Sequence, residues 1–215
     1  MQIAILLFDR FTVLDAIGPY QALSGLPGAE VAFVAERPGP FRDEQGGVLL
    51  SAEAGLPDVP HPGIIVVPGG PGQDGQMQDG PVHEWHRAAD QTSVWTTSVC
   101  TGSLILAAAG LLSGRRATSH WLALDELGRL GATPVSERVV FDGKYVTAAG
   151  VSAGIDMGLA LAGRIAGDEV AQAIQLMIEY DPQPPYDAGS PDHAPAEIVR
   201  SMRARSRFLL TGRPG

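Results

Sequence analysis

The stretch Val94-Trp95-Thr96-Thr97-Ser98-Val99-Cys100-Thr101-Gly102-Ser103-Leu104-Ile105-Leu106-Ala107-Ala108-Ala109 changes character at its middle. Val94–Val99 is short and rich in β-branched residues, which predicts a strand. From Thr101 to Ala109 the residues are those of a helix. Cys100 stands at the joint. A side chain on such a turn is held above the sheet edge, and Gly102 allows close packing there. This is the logic of a nucleophile elbow, written G-x-S-x-G. The match is partial, because Ser98 replaces the first glycine. The positive end of the following helix predicts a thiol biased toward its thiolate. The same residue also reads as a small apolar plug, since free cysteines are among the most buried residues.

Working outward, strand and helix patterns alternate. Ile3–Phe8 and Ile64–Val67 are apolar throughout and predict strands buried on both faces. Glu30–Ala35 is a further strand. Pro19 fits the first position of a helix running to about Leu23, and a hairpin is placed around Gly46-Gly47. Val135–Phe141 and Lys144–Ala148 are read as strands joined by the hairpin signal Asp142-Gly143. Helices are expected from about Val82 to Asp90 and over His120–Leu130, Ala153–Ile165, Asp168–Glu179 and Ala196–Leu209. The segment 181–195 carries five prolines and is irregular. The alternation predicts an α/β fold: a doubly wound, mostly parallel sheet with helices on both faces and its ligand site at the carboxyl ends of the strands.

The chain has 215 residues, 24 acids against 15 bases and a formal charge of −9, with one cysteine. The length suits a single domain, residues 1–215. One cysteine excludes an internal disulfide and a cysteine-based zinc cluster. The acidic balance argues against a nucleic-acid partner, which needs a basic face. No apolar run is long enough to span a membrane, and no export signal is legible, so a cytoplasmic protein is expected.

Three strand-end loops converge in this topology, carrying Asp15, Gly69-Gly70 and Cys100. A carboxyl beside a thiol can hold or donate a proton; Asp15 reads equally as a helix-entry cap. A glycine pair at a strand end lets amides point into a site, as an oxyanion hole requires; an ordinary tight turn is the other reading. Of the five histidines, His83 and His86 have helical spacing but no third ligand, so no metal is expected. His120 opens a helix in this reading. Gly150, Gly154 and Gly158 give one small face for helix packing.

These residues together resemble the ThiJ/PfpI superfamily. The resemblance rests on Ile3–Phe8 with Leu14-Asp15-x-x-Gly18-Pro19, on Val67-Pro68-Gly69-Gly70 and on Ser98-Val99-Cys100-Thr101-Gly102-Ser103. It implies a three-layer, flavodoxin-like fold of the class I glutamine amidotransferase type. Gly114-Arg115-Arg116-Ala117-Thr118, His120-Trp121, Gly154-Ile155-Asp156 and Ala188-Gly189-Ser190-Pro191-Asp192 make the chain similar to the isonitrile (isocyanide) hydratases of that superfamily.

The resemblance implies that Cys100 is the nucleophile toward a small isonitrile and forms a thioimidate that water resolves to an N-substituted formamide. Asp15 is then the acid/base, and Thr101 contacts the site through its hydroxyl and amide. Gly70 and Gly69 supply amides, and Gly150 borders the site; His120 is a site residue with no assigned role. No cofactor is implied, and a homodimer is. Asp15 and Thr101 stand where many relatives carry glutamate and histidine, which disfavours a glyoxalase- or deglycase-like enzyme. A stand-alone redox or ligand sensor is the other alternative. The AraC-type regulators that carry this domain follow it with a DNA-binding region, for which the sequence to Gly215 leaves no room, so regulation by direct DNA binding is not expected.

Overall fold

Side chains from Ile3 to Leu6 and from Ile64 to Val67 are buried. That burial is what continuous apolar runs require in a sheet covered on both faces. The structure is a computed structural model and describes residues 1–206. In chain order its elements begin with β1 (Gln2–Leu6), α1 (Val13–Leu23), β2 (Glu30–Ala35), β3 (Gly39–Arg42), β4 (Leu49–Ala52) and β5 (Ala54–Gly55). The middle of the chain gives β6 (Ile64–Val67), α2 (Pro81–Asp90), β7 (Trp95–Val99), α3 (Gly102–Ala108), β8 (Arg116–Ala117) and α4 (Leu124–Arg129). The remainder is β9 (Thr133–Pro134), β10 (Val139–Asp142), β11 (Tyr145–Ala148), α5 (Ala153–Ala166), α6 (Asp168–Met177) and α7 (Ala196–Ala204).

The main sheet runs β10-β11-β7-β6-β1-β2-β5. Every neighbouring pair is parallel except the β10–β11 hairpin, whose turn places Gly143 at φ 61°. After β1 the chain lays β2 on one side and β6 on the other. This reversal opens a crevice at the carboxyl ends of the strands. Helices lie on both faces: α1 packs on α5, which also meets α6, while α2 and α4 pack on α3. The small-residue face lets α5 approach α1 closely. A Cβ on Gly158 would lie 2.7 Å from the Ala22 Cβ, and one on Gly154 would lie 3.0 Å from Pro19 Cδ. Gly150 precedes α5 and takes no part in that seam.

Four expectations need correction. Helix α1 begins at Val13, so Pro19 lies inside it and Asp15 sits in its first turn rather than in a loop. The missing proline N–H costs the Asp15 carbonyl its helical donor, and packing against α5 holds the helix despite that. The helix expected from His120 starts only at Leu124. The residues just before it are drawn into tertiary bonds, with the Thr118 amide on Thr147 Oγ1 at 2.8 Å and Ser119 Oγ on the Cys100 carbonyl at 3.0 Å. Residues 135–138 are not strand, because the partner β11 ends at Ala148, opposite Val139. Helix α7 ends at Ala204, and the expected continuation over 207–209 lies outside the described residues. Among the described residues no helix is long and apolar enough to cross a membrane.

Candidate active site

Cys100 follows β7 with φ 57°, the left-handed backbone that an elbow demands. A non-glycine residue pays about 1–2 kcal/mol for that conformation. Four hydrogen bonds hold it. Its amide donates to the Ala148 and Ala149 carbonyls at 3.1 and 2.9 Å. Its carbonyl accepts Ser103 Oγ at 3.1 Å and Ser119 Oγ at 3.0 Å. The next turn is equally tight, since a Cβ on Gly102 would lie 2.0 Å from the Val67 carbonyl oxygen.

Asp15 is fully buried beside this thiol. Its Oδ2 accepts the Gly69 amide at 2.9 Å, while Oδ1 has no well-aligned partner among the described residues. Burial pushes the carboxyl up to about 7, against the pull of the Gly69 amide. Burial also pushes the Cys100 thiol well up, and the neighbouring Asp15 charge adds to this. The amides of Val151 and Thr101 act on the sulfur in the opposite sense without outweighing them. The expected thiolate bias is therefore not found at rest. The helix end is outweighed by desolvation and by a like charge.

The glycine pair also differs from expectation. The Gly69 amide is spent on Asp15, and the Gly70 amide donates to Thr101 Oγ1 at 3.0 Å. These two amides orient the acid and the hydroxyl rather than facing the reacting atoms. The amides at the sulfur belong instead to Thr101 and to Val151, a residue at φ 29° that the sequence does not single out. A backbone N–H leaves no trace in residue type; only the placement of β11 beside β7 brings it here.

A cavity of about 530 Å³ opens over Cys100. Thr12, Gly70, Pro71, Thr101, His120 and Leu122 line it, with Arg10, Glu44 and Asp74 also on its walls. Gly150 lines the adjoining cavity and abuts His120 at the wall of this one; a Cβ there would stand 3.0 Å from His120 Cδ2, so the glycine makes room for that ring. Burial lowers the His120 pKa, disfavouring the charged form of the ring. His83 and His86 are buried on α2, away from the cavity, and His83 Nε2 lies 2.7 Å from the Gln76 carbonyl. Among the described residues no three metal-binding side chains come together.

Thiol, carboxyl, hydroxyl and two amides at one sheet edge are suited to covalent addition at an electrophilic carbon with proton transfer. The model of the DJ-1/PfpI family matches residues 1–164. The isonitrile hydratase of Pseudomonas putida is 44% identical over 206 residues, spanning 96% of this chain and 90% of that protein. A crystal structure of a ThiJ/PfpI family protein from Pseudomonas syringae matches with a TM-score of 0.91 at 38% identity, over 94% of this chain and 84% of the other. The transcriptional regulator CdhR of Pseudomonas aeruginosa is 40% identical over 92 residues, 41% of this chain and 27% of that protein.

Proposed function

The chain belongs to the DJ-1/PfpI family, and from that premise we propose that it is a hydro-lyase adding water to isonitriles to give N-substituted formamides. The observation that carries this reading is the pairing of Cys100 with an acid held at about 7. A group with that pKa gives and takes protons at neutral pH, where a general acid/base works best. The similarity to the Pseudomonas putida hydratase supplies the substrate class.

Asp15 takes the thiol proton as sulfur attacks the terminal carbon of R–N≡C. A C–S bond forms, and the carbon's developing electron pair accepts that proton, giving the thioimidate R–N=CH–S–Cys100. The Thr101 and Val151 amides stabilise charge on sulfur during attack and departure. Asp15 then draws a proton from water and passes it to nitrogen as the water oxygen adds to the same carbon, which leaves the carboxyl ionised again. Collapse of R–NH–CH(OH)–S–Cys100 breaks the C–S bond. The hydroxyl proton returns through Asp15 to sulfur, and R–NH–CHO leaves. In this reading Thr101 Oγ1, which accepts the Gly70 amide, orients the water.

Incubation with a simple alkyl isonitrile tests this, with formamide measured for wild type, Cys100→Ala and Asp15→Ala. Formamide is expected from wild type alone. Its absence there refutes the hydratase; its persistence in Cys100→Ala refutes the covalent route. The homodimer implied by the resemblance is a further proposal, tested by sedimentation.

A further inference from the structure

Two cavities meet at one side chain. The first is the cavity over Cys100. The second, of about 400 Å³, is lined by Trp121, Leu124, Ser136, Arg138, Ser152 and Pro191 among others. His120 and Val151 belong to the walls of both. Val151 contributes a strained turn of backbone. His120 contributes a ring that turns about single bonds.

That ring is lightly held. Its Nδ1 accepts the Leu122 amide at 3.3 Å, a long hydrogen bond, and Nε2 has no partner among the described residues. Gly150 presents no side chain to it, and a Cβ there would stand 3.0 Å from Cδ2. The Trp121 ring is a tilted neighbour with centroids 5.9 Å apart. The long bond from the Leu122 amide is thus the ring's hydrogen bond among the described residues, and each cavity is of a size that takes a small organic group.

We infer that His120 is a movable partition between the two cavities, and that the second cavity takes the far end of the N-substituent of extended aryl or aralkyl isonitriles. The substrate class rests on the hydratase reading above. An isonitrile is linear through R–N≡C, so with its carbon on the sulfur its substituent must point away from Cys100. The far cavity suits an aromatic end: Trp121, Leu124 and Pro191 offer apolar surface. Ser136 and Arg138 offer hydrogen bonds at the rim, the arginine being tied to Asp156 and Ser152. In this role His120 is a specificity-determining residue rather than a proton carrier.

The test compares methyl isonitrile with 4-phenylbutyl isonitrile in wild type, His120→Ala and Leu124→Trp. The readout is the ratio of kcat/KM for the long substrate to that for the short one. His120→Ala is expected to raise this ratio by at least about tenfold, and Leu124→Trp, which fills the far cavity, to lower it by a similar factor. In parallel, the rate of Cys100 alkylation is followed by intact mass with iodoacetamide and with its N-(4-phenylbutyl) derivative. This arm needs no hydration chemistry. If neither isonitrile yields formamide, the hydratase reading fails while the alkylation ratio still judges the partition. Long-to-short ratios within about threefold of wild type in both variants, by either readout that operates, overturn the partition.

Discussion

Asp15→Asn separates the chemistry of the site from its stability. The carboxyl is fully buried, and its pKa rises from 3.8 to about 7 on folding. A raised acid contributes its full stability below the unfolded value and loses it as pH climbs through the folded one. Ionised Asp15 therefore opposes the native state above pH 7. A shift of about three units corresponds to about 4 kcal/mol at roughly 1.4 kcal/mol per unit. Asparagine keeps an oxygen for the Gly69 amide and does not titrate. Urea unfolding of both proteins between pH 4 and 8 gives the difference curve, in which every other titrating group cancels. The variant is expected to gain on wild type steadily between about pH 4 and 7, until the two differ by about 4 kcal/mol. At a urea slope of about 3 kcal/mol/M this moves the midpoint by more than about 1 M. Formamide production by the variant is expected to vanish. Parallel stability curves over the whole range refute the buried, proton-retaining carboxyl.

Alkylation of Cys100 by iodoacetamide is expected to accelerate as pH rises through about 7, where Asp15 ionises and can take the thiol proton. That step disappears in Asp15→Asn. Gly69→Ala would place a Cβ 2.5 Å from the Thr101 amide nitrogen and hydroxyl; a loss of about 2 kcal/mol or more in urea melts is expected, together with loss of turnover. Burial lowers the His86 pKa from 6.5 to about 3. The stability it supports is complete above about 6.5 and is lost as pH falls toward 3, by up to about 1.4 kcal/mol per unit. Thermal melts of His86→Phe should show a flatter acid limb than wild type. Ser119→Ala removes one of two hydroxyls on the Cys100 carbonyl and is expected to cost about 1 kcal/mol, read by urea unfolding.

The sheet was legible because buried parallel strands are short apolar runs, and punctuation by glycine and proline places their ends. Cys100 was singled out because it stands at an elbow just beyond a strand end, whereas Asp15, in the first turn of α1, was marked only by Leu-Asp-x-x-Gly-Pro. The direction of an amide was not. Gly69 and Gly70 were expected to face the reacting atoms and instead hold Asp15 and Thr101, because the orientation of a peptide plane is set by packing. Val151 was invisible, since the group it contributes is common to nearly every residue. Pro19 misled the start of α1, because its preference for a first turn is weaker than the packing of Gly18, Pro19 and Ala22 against α5.

The site is assembled by the pairings β1–β6, β6–β7 and β7–β11, all parallel and all between distant segments. Such contacts form only after the entropy of closing long loops has been met, so they come slowly. A chain still emerging, with residues up to Val99 available, has its acid and its glycine loop but neither the sulfur nor the β11 strand that carries the Val151 amide to it. Before that strand docks, Cys100 lacks the Val151 amide and the Ala148 and Ala149 carbonyls that hold its elbow. Competence for addition is thus a late property of folding, and recovery of Asp15-dependent thiol reactivity during refolding times the closing of the sheet.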